Sequence, residues 1–404
     1  MRFDDAHTPV IVAAVRTPIG RFRGSLAPVR ADDLAAKVVR AIAERNSAAM
    51  EQLEDVYFGA ANQAGEDNRN VARMAALLAG LPVEVPGATV NRLCGSGMEA
   101  VLQAAKAVIS GEGEVYIAGG VESMTRAPYV MPKSGEAWGR DAQLFDTALG
   151  WRMINPAMER LYPVESLGLT AENVAERYHV SREDQDLWAY ESHQKAAAAQ
   201  DDGVFDNEII PVELPQGKGE EPARFSQDEC VRRDTTLAKL AKLKPVFKAE
   251  GTVTAGNASP LNDGASALLI TSLQKAHNLG LEPMARIVAW GHAGVHPGVM
   301  GIGPVPASRK ALRRAGIDVK DIDVAELNEA FAAQTVASVR ALGLDPAKVN
   351  RAGGAIALGH PLGCSGARIV TTLAHGLQQS RGRYGLATMC IGVGQGIACV
   401  LERT

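Results

Sequence analysis

The chain has 404 residues, a formal net charge of −4 and a hydrophobic fraction of 46%. This length predicts two or more domains with large cores. The charge balance gives no electrostatic reason to expect nucleic acid or a membrane surface as a partner, and no apolar run reaches the length of a transmembrane helix.

Five cysteines are spread along the chain without a Cys-x-x-Cys pair. This odd number and wide spacing predict neither a disulfide framework nor a structural zinc site. We therefore expect no bound metal and a reducing cytoplasm as the setting. The first ten residues lack the basic-then-apolar pattern of a secretory signal, which agrees with that expectation.

The first part of the chain alternates strand and helix signals. Strands are predicted at residues 10–15, 56–58 and 114–118, the last closed by two glycines, and helices at residues 31–44, 70–79 and 98–109. Alternation of this kind predicts strands that are covered by helices on both faces.

The segment from about residue 123 to residue 250 differs in composition, because it is more charged and has irregular stretches rich in Gly and Pro. Ser181 followed by Asp184 resembles a capping box, so a helix is expected after it that ends near Gly203. A long insertion with its own helices is typical of a cap or lid that carries specificity.

The alternation resumes at about residue 251. Strands are predicted at residues 285–290 and 322–327, helices at residues 307–315, 329–342 and 366–379, and a hairpin of two buried strands at residues 386–401. The stretches 94–111 and 363–380 both place Gly-Ser-Gly or Cys-Ser-Gly before a helix and a following strand. This echo hints at an internal duplication without deciding it.

Cys94 lies in NRLCGSG (91–97), at the predicted turn from a strand to a helix. Unpaired N–H groups at a helix N-terminus favour a thiolate, so we expect its pKa to lie below the ordinary value of about 8.5. Such a thiolate could attack a thioester, and Gly95 and Gly97 would let a substrate approach closely. A buried structural cysteine is the alternative.

Three further positions carry groups suited to work on an acyl chain. His360, in GGAIALGHPLGCSG (353–366), could take a proton from Cys94 or hold an oxyanion. Cys390, in CIGVGQG (390–396), could remove a proton from the carbon beside a thioester. Asn328, in NEAFAAQ (328–334), could hold a water or orient His360. Each also has an ordinary interpretation, respectively a core histidine, a core cysteine and a helix N-cap.

Taken in order, these blocks resemble those of the thiolases, a family of coenzyme A-dependent acyltransferases. The resemblance runs from near Val10 to the C-terminus and rests on NRLCGSG, AGGVESM (118–124), GTVTAGNAS (251–259), NEAFA, GGAIALGHPLG and CIGVGQG. It implies an α/β fold, the thiolase fold, with two duplicated α/β domains in a layered α-β-α-β-α core plus an inserted loop domain. We expect an N-terminal half at residues 1–124, to which residues 250–275 return, a CoA-binding loop domain at 125–249 and a C-terminal half at 276–404.

The resemblance also implies a role for each of these residues. Cys94 would carry the acyl group after activation by His360, and Cys390 would be the acid and base for the carbon proton. Asn328 would hold a water that completes one oxyanion hole with His360, and the backbone N–H groups of Cys94 and Gly392 would form a second hole. The reaction would be a ping-pong cleavage of 3-oxoacyl-CoA to acyl-CoA and acetyl-CoA, or the reverse Claisen condensation, with no metal or redox cofactor.

For CoA, the resemblance implies contacts from the insertion and from the GTVTAGNAS segment. Ser259 would bind the pantetheine amide, and Arg232 would contact the adenosine end. The tunnel would be lined by Leu167, Phe247, Ala255, Leu261, Met300, Ala330 and Phe331. Departures from the pattern of many biosynthetic members are Ser-Leu-Gly at 166–168 in place of His-Met-Gly, Lys239 in place of a small polar residue, and Pro260 in place of glycine.

Two stretches, GAANQAGEDNRNVARMA (59–75) and LGWRMINPAM (149–158), resemble the branch of the family that cleaves 3-oxoadipyl-CoA in the degradation of aromatic compounds. That substrate ends in a carboxylate, and we hypothesise that Arg152 pairs with it. A surface or interdomain position for Arg152 is the alternative. The family commonly forms homotetramers built as dimers of dimers, and we expect that assembly here.

Several other functions remain open at this point. One is a biosynthetic acetoacetyl-CoA thiolase (acetyl-CoA acetyltransferase). Another is a ketosynthase or a hydroxymethylglutaryl-CoA synthase, against which the cysteine at position 390 argues. From different classes of protein come a catalytically inactive acyl-CoA- or lipid-binding protein on the same scaffold and a cysteine redox protein, the second of which the lack of paired cysteines disfavours.

Overall fold

The computed structural model describes residues 4–214 and 221–404. The strands, in chain order, are β1 (Pro9–Arg16), β2 (Gly20–Arg21), β3 (Asp55–Gly59), β4 (Ala88–Val90), β5 (Val115–Ser123), β6 (Tyr129–Val130), β7 (Phe145–Asp146), β8 (Val212–Leu214), β9 (Ala223–Phe225), β10 (Asn262–Ser272), β11 (Ala285–Gly294), β12 (Ile322–Leu327), β13 (Tyr384–Ile391) and β14 (Gln395–Arg403).

The helices are α1 (Ala31–Arg45), α2 (Ser47–Met50), α3 (Val71–Ala79), α4 (Ser96–Ser110), α5 (Pro156–Leu161), α6 (Leu167–Arg177), α7 (Arg182–Asp201), α8 (Leu237–Ala241), α9 (Leu273–Asn278), α10 (Pro304–Ala315), α11 (Ala332–Leu342), α12 (Ala355–Leu358) and α13 (Leu362–Ser380). Short 3₁₀ helices lie at Asp5–His7, Pro297–Ile302, Val319–Asp321 and Pro346–Lys348.

The main sheet has the strand order β12-β13-β14-β11-β1-β10-β5-β3-β4, and β2 pairs with β10. Its two halves meet where β1 pairs with β11. Outward from that seam the N-terminal half runs β1-β10-β5-β3-β4 and the C-terminal half runs β11-β14-β13-β12, with Val349 bridged to Ala325 in the place that β4 takes in the other half. In each half, the first strand of that half in the chain lies at the seam, its last strand lies next to it, and its intermediate strands follow. This shared order supports an internal duplication.

Buried apolar clusters fill the spaces between the layers of the fold. Helices α4 and α13 lie between the two half-sheets, where Met98 and Ile369 pack with Leu268 of β10 and Ile397 of β14. Helices α1 and α3 cover the outer face of the N-terminal half, and α10 and α11 cover the outer face of the C-terminal half. This arrangement confirms the layered α-β-α-β-α core that was expected from the sequence.

Strand β10 shows how the sequence specifies the layering. All of its residues are buried, and alternate side chains face different cores. Leu268 and Ile270 face α4 and α13, whereas Ala267 and Leu269 face the outer helices. Since successive side chains of a strand point to opposite faces, a strand that is covered on both sides needs a continuous apolar run.

Glycines let the two central helices approach to backbone contact. A Cβ added at Gly97 of α4 would lie 2.7 Å from the carbonyl oxygen of Gly363 in α13, and one added at Gly366 would lie 2.3 Å from the backbone nitrogen of Met98. A side chain at either position would force the helices apart. The glycines therefore bring the N-termini of α4 and α13 together.

Strand β10 was not predicted, and several element boundaries differ from the sequence prediction; β5 and α11 show the physical reasons. Strand β5 continues through its glycines to Ser123, because those glycines permit close packing and make no turn. A Cβ added at Gly120 would lie 2.1 Å from the Gly363 carbonyl oxygen. Helix α11 begins at Ala332, three residues later than predicted, with Phe331 as its N-cap.

The insertion packs against both halves. The capping box formed by Ser181 and Asp184 is present and starts α7. Trp188 of α7 lies in the outer core of the C-terminal half, whereas Ile210 and Val212 lie in the outer core of the N-terminal half. The division of the chain at residues 125–249 stays a prediction. None of the described helices is long and apolar enough to cross a membrane.

Candidate active site

Cys94 lies in the turn between β4 and α4 and lines a cavity of about 350 Å³. Leu93, which precedes it, has a left-handed backbone conformation with φ of 49°. Val393, in the turn between β13 and β14, lines the same cavity and has φ of 62°. Residues other than glycine that are held at positive φ cluster at functional sites, because surrounding contacts must compensate for the strain.

Cys94 is 7% exposed. Burial raises the pKa of its thiol to about 11, although the backbone N–H groups of Gly392 and of Cys94 itself donate to the sulfur and oppose that rise. The predicted lowering of this pKa is therefore wrong for the free protein, because the loss of hydration outweighs the N–H donors. The thiol keeps its proton at neutral pH and needs a base before it can attack.

His360 lies in the turn between α12 and α13, and its backbone N–H donates to Asn262 Oδ1 at 2.8 Å. Its Nδ1 lies 2.6 Å from Ser365 Oγ, and the Ser365 hydroxyl donates to the carbonyl oxygen of Pro361 at 2.8 Å. Since a hydroxyl group has one hydrogen, Ser365 accepts a hydrogen bond from Nδ1–H. This arrangement leaves a lone pair on Nε2.

Burial lowers the pKa of His360 to about 3, and the positive charge of Arg368 acts in the same direction. The imidazole is therefore neutral at pH 7 and can accept a proton at Nε2.

Asn328 lies beside the histidine ring, with its Nδ2 3.4 Å from His360 Nε2. Its Oδ1 is buried and has no hydrogen-bond partner among the described residues. A buried polar atom without a partner is costly, so this position is suited to a polar group of a ligand. The N-cap alternative for Asn328 is wrong, because α11 begins at Ala332 with Phe331 as its N-cap.

Cys390 lies near the end of β13 and is 2% exposed. Its pKa is raised by burial and, to a smaller extent, by the charge of Cys94. The packing of the two turns agrees with this, because a Cβ added at Gly95, next to Cys94, would lie 2.6 Å from Cδ1 of Ile391, next to Cys390. The structure thus brings the segments that carry Cys94 and Cys390 together from opposite halves of the fold.

Most of the residues expected to line a CoA tunnel share one apolar cluster with Cys390. The cluster contains Leu167, Phe247, Met300, Ala330 and Phe331, together with Ala171, Val253 and Ala258. The rings of Phe247 and Phe331 pack edge to face, with their centroids 6.2 Å apart. An apolar cluster that borders a reactive thiol is suited to the methylene and amide chain of pantetheine.

The other residues expected to contact CoA have different surroundings. Ser259 borders the cluster, and its hydroxyl and backbone N–H both donate to the carbonyl oxygen of Ala330 at 3.0 Å. Ala255 and Leu261 lie outside the cluster. The side chain of Arg232 is exposed, and Lys239 forms an exposed ion pair with Asp234 at 2.6 Å.

A buried carboxylate that no sequence motif indicated lies beside the site. Glu122 of β5 is 1% exposed and accepts hydrogen bonds from the backbone N–H groups of Ala61, Asn62 and Gly363 at 3.0, 3.2 and 2.7 Å. Burial raises the pKa of Glu122 to about 7. Glu122 thus joins the cavity wall to the turn that follows His360. The available signal was a glutamate inside the apolar strand AGGVESM, since a carboxylate is seldom buried without partners.

A second missed carboxylate anchors the first turn of α4. Glu99 accepts hydrogen bonds from Arg92 at 3.0 Å, Lys106 at 3.0 Å and His292 at 2.6 Å, and Arg92 also donates to Gln395 at 3.3 Å. Burial acts to raise the pKa of Glu99, but the hydrogen bond with His292 and the charge of Lys106 outweigh it and lower the pKa to about 2. The network ties the turn that carries Cys94 to β11 and β14.

Within residues 4–214 and 221–404, no group of three or more His, Cys, Asp or Glu side chains could hold a metal ion. The described residues offer a thiol on the cavity wall at Cys94, a neutral imidazole at His360 beside the buried amide of Asn328, and a second thiol at Cys390 in the apolar cluster that Leu167 shares with the cavity. Such a set can carry an acyl group, accept its proton, bind an oxyanion and move a proton at carbon.

Known protein families match both halves of the chain. Residues 9–274 match the N-terminal domain of thiolases, and residues 281–403 match the C-terminal domain of thiolases. The chain belongs to the thiolase family. This thiolase is therefore an acyltransferase, and the family and the enzyme class expected from its motifs are confirmed.

Individual relatives cover nearly the whole thiolase. A beta-ketoadipyl-CoA thiolase of Acinetobacter baylyi is 57% identical over 97% of this chain and 98% of its own. A 3-oxoadipyl-CoA/3-oxo-5,6-dehydrosuberyl-CoA thiolase of Escherichia coli is 56% identical over the same shares. The crystal structure of the acetyl-CoA acetyltransferase of Bacillus anthracis has a TM-score of 0.91 at 42% identity and covers 99% of each chain.

The raised pKa of Cys94 predicts how this thiolase reacts with an alkylating agent. Because the thiolate fraction grows tenfold per pH unit below the pKa, the rate of Cys94 alkylation by iodoacetamide should rise about tenfold per unit between about pH 7 and pH 9. The rate is measured by mass spectrometry on the peptide that carries Cys94, with Cys94→Ala as the background for the other thiols. A rate that levels off at or below pH 8 would contradict a pKa of about 11.

Proposed function

We propose that this thiolase cleaves 3-oxoadipyl-CoA, or a closely related 3-oxoacyl-CoA, with free CoA to give acetyl-CoA and the shortened acyl-CoA. The observation that supports the reaction is that Cys94 lines a cavity which shares Leu167 with the apolar cluster of Cys390. His360 lies beside Asn328, and Leu362, two residues after His360, lines the same cavity. The substrate is supported by relatives that carry this activity in their names and are 56 to 57% identical over nearly the whole chain.

In the first half-reaction the sulfur of Cys94 adds to the ketone carbon while its proton moves to His360 Nε2. The developing oxyanion accepts hydrogen bonds from the N–H groups of Cys94 and Gly392, which already point at the sulfur. The bond between C2 and C3 then breaks. The acetyl-CoA enolate, held by protonated His360 and a water on Asn328, takes a proton from Cys390 at carbon and leaves.

In the second half-reaction the Cys390 thiolate takes the proton of the incoming CoA thiol. The CoA thiolate attacks the acyl group on Cys94, and the Cys94 sulfur leaves and recovers its proton from His360. Every group returns to its starting protonation state, so no metal or redox cofactor is needed to balance the reaction. Coenzyme A enters as a substrate.

The CoA chain is proposed to follow the apolar cluster toward the insertion. Leu167, Phe247, Met300 and Phe331 supply apolar contacts for pantetheine, and Ser259 is the proposed partner of a pantetheine amide. The exposed side chain of Arg232 is the proposed contact for the charged adenosine end.

We propose that the thiolase works as a homotetramer, a dimer of dimers, in the cytoplasm. Strand β4 forms one end of the main sheet, and α3, which packs nearby, exposes Met74, Leu77 and Leu78. A sheet edge next to exposed apolar side chains is typical of an interface, and a second copy of the chain would cover both. The five free thiols agree with a reducing compartment.

A kinetic panel tests the proposed function. We expect cleavage of 3-oxoadipyl-CoA that depends strictly on added CoA and yields acetyl-CoA, with acetoacetyl-CoA cleaved at a lower kcat/KM. Thiolysis of acetoacetyl-CoA at the higher kcat/KM would favour the alternative of a biosynthetic acetyl-CoA acetyltransferase, the function that the Bacillus anthracis protein has in its name. Absence of cleavage with every 3-oxoacyl-CoA, in a protein that still binds acyl-CoA, would favour an inactive binding protein.

A further inference from the structure

The cavity beside Cys94 has one charged side chain in its wall. Among the described residues that line it, Arg152 is the one that carries a charge. Arg152 is half-buried, and its guanidinium makes no hydrogen bond or ion pair with any described residue. Arginine in such a position usually pairs with a carboxylate of the protein, so an unpaired guanidinium here is available to an anionic group of a ligand.

The segment that carries Arg152 is anchored on both sides. Asn62 Nδ2 donates to Thr147 Oγ1 at 3.0 Å, and Trp151 Nε1 donates to the carbonyl oxygen of Glu165 at 3.1 Å. These contacts fix the backbone before and next to Arg152. Because the segment that carries Arg152 is held in place, less side-chain and loop entropy is lost when the guanidinium binds a ligand.

The remaining wall is mostly apolar, with Leu93, Leu149 and Val393 in the same cavity. Apolar walls favour a methylene chain and give no hydrogen bonds to a charge. The other polar side chains of the wall, Asn62 and Thr147, hydrogen-bond each other, and the Thr147 hydroxyl donates to the carbonyl oxygen of Pro128. A carboxylate that enters this cavity therefore depends on Arg152 for charged hydrogen bonds.

We propose that Arg152 binds the distal carboxylate of the acyl group, and that it selects 3-oxoacyl-CoA substrates that end in a carboxylate over those that end in a methyl group. This inference rests on the proposed function, since it places the acyl carbon at Cys94. A guanidinium and a carboxylate form two parallel hydrogen bonds, which fixes the orientation of the chain as well as its charge. The 3-oxoadipyl and 3-oxo-5,6-dehydrosuberyl groups in the name of the Escherichia coli relative are both of this class.

The test compares two substrates that have the same six-carbon chain, 3-oxoadipyl-CoA and 3-oxohexanoyl-CoA. In Arg152→Ala the ratio of their kcat/KM values should fall about 10- to 100-fold, the range expected for the loss of a charged hydrogen-bonded pair. Arg152→Lys should recover part of the ratio, because it keeps the charge without the planar fork. Arg160→Ala, an exposed arginine of α5 in the same insertion, should keep the wild-type ratio.

A binding measurement separates this role from effects on the chemistry. Adipyl-CoA and hexanoyl-CoA lack the 3-oxo group, and calorimetry on wild type and Arg152→Ala should show weaker binding of adipyl-CoA alone. An equal loss for both ligands would make Arg152 a support of the fold and overturn the inference, and so would an unchanged kcat/KM ratio. A wild-type protein that cleaves neither 3-oxoacyl-CoA would overturn the proposed function, while the adipyl-CoA measurement would still test Arg152.

Discussion

Replacing Cys94 with alanine should lower the turnover of 3-oxoacyl-CoA by about 10⁴-fold or more, as expected when a covalent nucleophile is removed. The variant keeps His360, Cys390 and both backbone N–H donors, but no atom remains that can carry the acyl group between the two half-reactions. Mass spectrometry after incubation with acetyl-CoA should find one added acetyl group on the peptide that carries Cys94 in the wild type, and none in Cys94→Ala.

Cys399 provides the matched control for this variant. It lies in the same central cluster as Cys94 and is fully buried in β14. Cys399→Ala removes a sulfur from the same core, so it reports any cost in stability without touching the proposed site. We expect Cys399→Ala to be acetylated as the wild type is. Acetylation that persists in Cys94→Ala at another thiol would place the nucleophile elsewhere.

Replacing Cys390 with alanine should separate the two chemical tasks. The variant should still acquire an acetyl group on Cys94, because His360 and the N–H donors serve that step. It should fail to exchange the methyl protons of acetyl-CoA with deuterium from solvent, and turnover should fall about 10²- to 10⁴-fold, the usual range for the loss of a general acid or base. Exchange is measured by mass spectrometry or NMR on acetyl-CoA incubated in D₂O.

The pattern across the three cysteine variants distinguishes the roles. Cys94→Ala should lose the acetyl adduct, Cys390→Ala should lose proton exchange while keeping the adduct, and Cys399→Ala should keep both. Exchange at the wild-type rate in Cys390→Ala would remove Cys390 from the mechanism. Loss of the adduct in that variant would show that Cys390 is needed to position Cys94, a different role from the one proposed.

Much of the fold and of the candidate site could be predicted from the sequence, because the relevant signals are local. Glycine-rich turns around Cys94, His360 and Cys390 mark places where a strand or helix ends and a substrate can come near. Alternating strand and helix patterns predicted strands covered by helices on both faces, and the resemblance to the thiolases supplied the five-layer order. The central strand β10 was not predicted, because buried polar residues interrupt its apolar run.

What the sequence could not supply depends on distant parts of the chain. The direction of the pKa shift of Cys94 follows from burial between two half-sheets, which no local pattern reports, so the helix N-terminus alone gave the wrong sign. The partners of Glu122 come from segments about 60 and 240 residues away in the chain. The strand β5 was cut short because its glycines resemble a turn, whereas their purpose is contact with α13.

The repeated strand order of the two halves has a consequence for any half-length version of this protein. Helices α4 and α13 take equivalent places, yet the first repeat carries the proposed nucleophile Cys94 and the second carries both His360, the proposed base, and Cys390, the proposed proton carrier. Expressed alone, the first repeat would contain the proposed nucleophile without its base. The second repeat would contain the proposed base without the nucleophile. On the proposed roles, catalysis requires both repeats, and mixing the two pieces should restore it only if they reassemble across the α4–α13 contact.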